Sequence, residues 1–151
     1  MITRVATEQD LEILLEFEQG IVTAERPFNS TLKDGKIHYY DLLHLIQSED
    51  SLVLVTEDNN EVIASGYAKI KQTENNYSDF ETYAYLGFMY VKPEHRGKGV
   101  NKLILDELIG WAKSKDIHEI RLDVYAQNES ALKAYEKAGF ESLIVTMRMK
   151  T

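Results

Sequence analysis

Apolar and polar positions alternate along this chain in patterns that assign most of its elements. Ile2, Arg4 and Val5 open a short strand over 2–6. Thr7-Glu8-Gln9-Asp10 has the form of a capping box, and Leu11, Leu14, Leu15 and Ile21 supply the stripe of a helix behind it. The chain breaks at Ala24-Glu25-Arg26-Pro27-Phe28-Asn29. A second helix is predicted over 36–47, with Ile37, Tyr40, Leu43 and Ile46 on one face. Residues 51–56 read as a strand, Asp58-Asn59-Asn60 as its turn, and 61–71 as the returning strand, where Gly66 marks a bulge or a close approach. A polar loop over 73–79 precedes a third long strand at 81–91, which Pro93 ends. Gly97 and Gly99 lead into a helix over 100–114, with Ile104, Leu108, Trp111 and Lys115 on one stripe. Residues 119–125 alternate as a strand. Asn128 caps a helix over 129–138, Gly139 fits its left-handed C′ position, and 142–149 read as a last strand. The order β-α-α-β-β-β-α-β-α-β predicts an α/β fold whose mixed, mostly antiparallel sheet carries helices on its faces.

Composition narrows the function. The 151 residues contain two prolines and no Gly/Ser-rich linker, so one domain over 1–151 is expected. Lys and Arg number 17 against 25 Asp and Glu, a net charge of −8 that argues against nucleic acid as a partner. An acidic surface favours cationic small molecules or basic peptides, although solubility accounts for it equally well. There is no Cys, which excludes disulfides, thiolate metal sites and a Cys nucleophile. His38 and His44 stand six apart without a matching carboxylate pattern, so no metal is expected. No apolar run approaches the ~20 residues of a membrane span. The start, Met1-Ile2-Thr3-Arg4 turning acidic, is unlike a signal peptide, and a cytoplasmic location without membrane contact is the expectation.

The chemistry concentrates between Tyr85 and Lys102 (YLGFMYVKPEHRGKGVNK). A strand meets Pro93, then Arg96-Gly97-Lys98-Gly99, then an amphipathic helix. Glycines admit positive φ and close approach. The first helical N–H groups are unpaired and the helix dipole adds positive potential there. Arg96, Lys98 and Lys102 add full charges. A phosphate or pyrophosphate is the natural ligand. The P-loop pattern fails because Lys98 is followed by Gly99 and position 92 is Lys92. The dinucleotide fingerprint fails because Lys102 stands where its third glycine would be.

Arg96-Gly97-Lys98-Gly99-Val100-Asn101 resembles the R/Q-x-x-G-x-G/A signature of the GNAT N-acetyltransferases, departing only at Asn101. A second block, running from Asn128 and Ala131 to Tyr135 and Gly139-Phe140, is similar to that family's N-x-x-A-x-x-x-Y-x-x-x-G-F block. The two lie in the family's order with a strand between them, and the resemblance covers residues 50–141. It implies the acyl-CoA N-acyltransferase (GNAT) fold, acetyl-CoA as cosubstrate, and acetyl transfer to a primary amine by direct attack in a ternary complex. The absence of Cys and of a GxSxG serine (Ser65 sits in Ala64-Ser65-Gly66) agrees with direct transfer.

The same resemblance assigns roles. Pantetheine would lie along the third long strand, paired with backbone groups of Met89 and Val91. Arg96, Gly97, Lys98, Gly99, Val100 and Asn101 would hold the pyrophosphate, and Asn128 would touch CoA as well as cap its helix. Tyr135 occupies the general-acid position, and a phenol of pKa ~10 can donate while un-ionised at neutral pH. Alternatively, Tyr135 packs against Phe140 as a helix-end contact. Glu81, the only carboxylate on its strand, is the base candidate, relayed through Tyr83 and Tyr85. Glu25, Phe28, Asn29 and Tyr40 are acceptor-site candidates by position. Two alternatives stand beside this reading: a non-catalytic acyl-CoA sensor, and a peptide N-terminus rather than a small amine as acceptor. A homodimer is among the states the resemblance allows, since one short last strand would leave a sheet edge open.

Overall fold

The computed structural model describes residues 1–151. Its strands are β1 (Ile2–Val5), β2 (Ser51–Asp58), β3 (Glu61–Gln72), β4 (Thr82–Val91) and β5 (Ile120–Arg121); its α-helices are α1 (Leu11–Glu25), α2 (Leu42–Gln47), α3 (Val100–Ser114) and α4 (Glu129–Lys137). The sheet runs β1-β2-β3-β4-β5. Its first four strands are antiparallel neighbours and β5 lies parallel to β4, so the sheet is mixed and mostly antiparallel as the pattern predicts. Asn59 and Asn60 both take positive φ, 51° and 64°, the geometry that matches a two-residue turn to strand twist.

Period-two alternation sends successive side chains of the sheet to opposite layers. Val53, Val55, Tyr67 and Phe88 pack with Leu14, Phe17 and Ile21 of α1 and Leu42 and Leu45 of α2. Leu54, Ala64, Ala68 and Leu86 pack on the other face with Val100, Ile104, Leu105 and Leu108 of α3. Leu14, Leu54, Ile104 and Leu108 are fully sequestered. Each such side chain contributes roughly 1.5–3 kcal/mol on removal from water.

Three elements depart from the sequence pattern. The second helix starts at Leu42 rather than 36, because α1 claims the backbone before it. The buried Glu18 carboxylate accepts from the N–H groups of Tyr39 at 2.8 Å and Tyr40 at 3.0 Å, and Gln19 Nε2 donates to the Ile37 carbonyl at 2.7 Å. Asp41 then caps α2, accepting from His44 N–H. The buried face of α2 is therefore Leu42 and Leu45, while Leu43 is exposed. The strand expected over 119–125 forms a ladder only at Ile120–Arg121. The strand expected over 142–149 is not formed: residues 141–151 join no element and all are exposed.

The N-terminal turn is tied by one ion pair. Asp10, buried, accepts both guanidinium NH groups of Arg4 at 2.8 and 2.9 Å and the N–H of Thr7 at 2.7 Å. The Arg4 hydrogen bonds hold the Asp10 carboxyl below its ordinary value of 3.8. A depressed carboxyl lends stability that is present above the unfolded value and is lost as pH falls through the folded one. Asp10→Asn is therefore expected to lower the urea midpoint at about pH 7 and to narrow its difference from wild type at about pH 3. Equal deficits at both pH values would remove the ion pair as the cause.

Candidate active site

Strand β4 is built irregularly where chemistry is expected. Its register with β3 pairs Tyr67 with Gly87 and Ser65 with Tyr90, so Phe88 and Met89 together oppose Gly66. Phe88 sits at φ 58°, a left-handed conformation costly for a bulky side chain. The buried Ser65 Oγ donates to the Phe88 carbonyl at 3.1 Å and satisfies the group the bulge displaces. Gly66 lies at the close approach its residue type suggested: an added Cβ would stand 2.7 Å from both Met89 Sδ and Ile104 Cγ2. The bulge itself is on the facing strand. It also shifts the alternation by one, so Leu86 before it and Met89 and Val91 after it share the α3 side.

On its other side β4 pairs with β5 only at Ala84 and Tyr85. From Leu86 to Val91 that edge has no neighbouring strand. The opening leads into the turn before α3. Gly97 and Gly99 take φ 76° and 79°, and an added Cβ at either meets nothing within 4 Å. A residue other than glycine would be strained there by about 1–2 kcal/mol although space is open. Gly99 is the N-cap of α3 and brings no side-chain cap, so the first amides of the helix are left to a ligand. Val100 is buried and Asn101 half-buried. Arg96 Nε donates to the Val91 carbonyl at 2.8 Å, its guanidinium 5.7 Å from the Tyr90 ring. Lys98 is exposed, and Lys102 pairs with Asp106. His95 faces Asp58, 3.9 Å away. An open edge running into an uncapped, glycine-turned helix start fits an extended arm that ends in a diphosphate.

Helix α4 flanks this opening on the α3 face. Asn128 Oδ1 accepts from Ala131 N–H at 3.2 Å, the cap expected of it. At the other end Phe140 N–H donates to Tyr135 O and Gly139 N–H to Glu136 O, both at 3.0 Å, a Schellman closure with Gly139 at φ 107°. The Phe140 ring meets Tyr135 edge-on at 5.8 Å, so the expected helix-end contact is formed. Tyr135 also packs in the cluster that holds Leu86 and Met89. Burial pushes its phenol up and keeps it protonated at neutral pH.

Across the sheet, on the α1/α2 face, lies a cleft of about 610 Å³. Its walls include Tyr39, Tyr40, Tyr67 and Tyr85, with Lys69, Lys71 and Asp123 at polar positions. Tyr40 reaches the bulge, 5.2 Å from the Phe88 ring and 5.5 Å from Tyr67. Tyr85 donates its hydroxyl to Asp123 Oδ2 at 3.1 Å. Burial, helped by Asp123, pushes Tyr67 up to about 12 and Tyr85 upward as well. Lys69 stands 5.8 Å from the Tyr67 and Tyr85 rings, and Lys71 5.1 Å from Tyr85. Burial and the neighbouring Lys71 lower Lys69.

Of the positional candidates Tyr40 lines the cleft, while Glu25, Phe28 and Asn29 are not among its lining residues. Phe28 stacks on Tyr125 at 6.3 Å, and Asn29 Nδ2 donates to the Tyr125 hydroxyl at 2.9 Å. Glu25 ends α1 beside Tyr39; burial raises its carboxyl, and burial with that negative charge pushes Tyr39 up to about 12. The Tyr39 hydroxyl is buried without a hydrogen-bond partner. Glu81 is not brought to this group. It is exposed and precedes β4, seven residues and so ~23 Å of strand from the bulge. The residues not foreseen are Ser65, Phe88, Tyr39, Tyr67, Lys69, Lys71, Asp123 and Tyr125. The bulge has a local signal, since apolar alternation through Ala84 and Leu86 resumes out of phase at Met89 and Val91. Asp123 and Tyr125 have none; their partners lie 38 and 96 residues away.

Comparison with known proteins shows the family and the fold. The family model described as Acetyltransferase (GNAT) family matches residues 19–140. An L-amino acid N-acyltransferase of Escherichia coli is 29% identical over 99 residues, 64% of this chain and 52% of that protein. An L-methionine sulfoximine/L-methionine sulfone acetyltransferase of Salmonella typhimurium is 27% identical over 109 residues, 71% of this chain and 58% of that one. The chain thus spans about half the length of these curated relatives. A tetramutant of the BH1408 protein of Bacillus halodurans superposes with a TM-score of 0.88 at 26% identity, covering 100% of both chains. An aminoglycoside 6'-N-acetyltransferase of Acinetobacter haemolyticus shares the fold, with a TM-score of 0.75 at 19% identity over 100% of this chain and 98% of that one.

One buried carboxylate holds the cleft wall in place. Glu18 takes the Tyr39 and Tyr40 amides and His38 Nδ1, the last at 2.9 Å, and so fixes the extended segment that carries both tyrosines. Glu18→Ala strands two backbone donors and is expected to cost on the order of 3 kcal/mol in urea unfolding. Loss of the near-ultraviolet tyrosine signal should accompany it. A cost under about 1 kcal/mol would mean that the segment holds itself.

Proposed function

Because the chain belongs to the acetyltransferase (GNAT) family, we propose that it carries an acetyl group from acetyl-CoA to the primary amine of a small zwitterionic acceptor, an amino acid or close analogue. The observation that carries this reading is the presence of Asp123, Lys69 and Lys71 in the lining of one tyrosine-walled cleft that abuts the β4 bulge. A carboxylate opposite two ammonium groups complements a molecule bearing both an amine and an acid. The named relatives that act on amino acids lend it support.

Acetyl-CoA supplies an acyl group activated as a thioester. In this reading Arg96, Lys98 and the amides from Gly97 to Asn101 hold its diphosphate, while backbone groups of Met89 and Val91 take the arm. Their side chains pack against the α3 cluster, which leaves that role to the main chain. A bulge amide at Phe88–Met89 donates to the carbonyl oxygen as negative charge builds there. Asp123 receives the acceptor's ammonium. An alkylamine of pKa ~10 must lose a proton before attack, and the proposed base is Glu25, whose carboxyl burial raises beside Tyr39 of the cleft wall. Glu81 has no part in this scheme. Tyr135, on the opposite face of the opening, donates to the departing thiolate. Acceptor and leaving group are thus served from the two sides of one gap in the sheet.

Thiol release from acetyl-CoA with a panel of amines tests the proposal. Turnover is expected with α-amino acids and should fall sharply for the same amines without a carboxylate. Tight acetyl-CoA binding with no thiol released by any amine would favour the sensor reading. Preference for peptide N-termini would overturn the acceptor assignment. Tyr135→Phe is expected to lower kcat by about 100-fold while leaving acetyl-CoA affinity within about twofold. An unchanged kcat would return Tyr135 to a packing role.

A further inference from the structure

Helix α1 carries a glycine in its interior, where glycine weakens a helix more than any residue but proline. Gly20 is fitted to one side chain. A Cβ added there would stand 2.7 Å from Tyr90 Cε2, 2.9 Å from its hydroxyl oxygen and 3.0 Å from Cζ. The Tyr90 ring therefore lies directly on the α1 backbone, and Phe17 meets it at 4.7 Å between ring centres. After the Pro93 turn, Arg96 folds back over the same ring. Its Nε donates to the Val91 carbonyl at 2.8 Å, and its guanidinium carbon lies 5.7 Å from the ring centre, within cation–π range. Nε is only one donor of the guanidinium fork. The terminal nitrogens make no hydrogen bond within the protein, and Arg96 has no carboxylate partner. The cleft of about 420 Å³ that Tyr90 and Arg96 share with α1 has no acidic side chain in its lining, on a chain whose net charge is −8. An exposed arginine tethered at one nitrogen, with the rest of its fork free, is set to meet an anion.

We propose that Tyr90, seated by Gly20, is a positioning residue for the donor half of the site: it holds Arg96 folded over the end of β4 and keeps its terminal N–H groups for the diphosphate of acetyl-CoA. The inference rests on the reading of Arg96 as a diphosphate ligand. A free arginine gives up most of its rotamers when it grips a ligand. One held beforehand loses fewer, so more of the interaction appears as affinity. A ring suits this task better than a carboxylate would. Its face attracts the cation without occupying the fork, whereas a carboxylate would take the fork and neutralise it. Gly20 matters because any side chain there displaces the ring. The middle of α1 thereby sets the place of a charge beside the start of α3.

Acetyl-CoA affinity, measured by calorimetry on the whole chain and its variants, tests the assignment. Arg96→Ala is expected to weaken binding about tenfold. Tyr90→Leu should weaken it about fivefold, and Tyr90→Phe, which keeps the ring, by less than about twofold. In the Arg96→Ala background Tyr90→Leu should cost nothing further, a non-additivity that lost packing alone would not produce. Gly20→Ala, favoured by helix propensity, should keep the fold and weaken acetyl-CoA binding as Tyr90→Leu does. It decides the matter if Tyr90→Leu fails to fold. Three results overturn the proposal and leave the reading of Arg96 standing. These are additive losses for Tyr90→Leu and Arg96→Ala, equal losses for Tyr90→Phe and Tyr90→Leu, or full affinity in Gly20→Ala. Full affinity in Arg96→Ala overturns both.

Discussion

The structure depends on the parting of β4 from β5. After Ala84–Ile120 and Tyr85–Arg121 the two parallel strands lose their ladder, and the β4 edge from Leu86 to Val91 faces open space. A sheet ordinarily fills such an edge, because unpaired amides are a template for any extended chain. Here the vacancy sits inside the fold, between helices on both faces. The Phe88–Met89 bulge lies within that edge and turns its backbone out of regular register. Ser65 stabilises the displaced carbonyl, and Gly66 makes room for Met89 and Ile104. The positive-φ glycines and uncapped start of α3 continue the same opening.

Two buried carboxylates keep the flanking elements in position, and both are satisfied in the same way. Asp10 takes a fork of Arg4 and one amide; Glu18 takes two amides and a histidine nitrogen. A buried charge without such partners would be expelled or neutralised. With them it becomes a geometric constraint. Glu18 prevents residues 37–40 from joining α2 and lays Tyr39 and Tyr40 along the cleft. The tyrosine wall of the cleft is thus set from the middle of α1, some twenty residues earlier in the chain.

The faces of the sheet divide the labour. Tyr135, Met89 and Val91 belong to the α3 layer, while Tyr40, Tyr67, Tyr85 and Asp123 belong to the α1/α2 side. The open edge of β4 is made chiefly of main chain, which changes little when side chains change. The cleft is made of side chains from five separate segments.

Local chemistry determined much of this in advance. Residues 100–114 form the expected helix because a 3.6-residue stripe has one solution against a sheet. The Asn59-Asn60 turn, the Asn128 cap and the Gly139 closure follow from side-chain and φ preferences that act within a few residues. The left-handed turn at Gly97 and Gly99 follows for the same reason. The start of α2 was decided elsewhere, because Glu18 outbids local helix propensity for the Tyr39 and Tyr40 amides. Likewise the Tyr85–Asp123 and Asn29–Tyr125 contacts depend on residues distant in the chain. Short-range preferences leave a trace in one sequence; contacts closed by packing across 20 to 96 residues leave none.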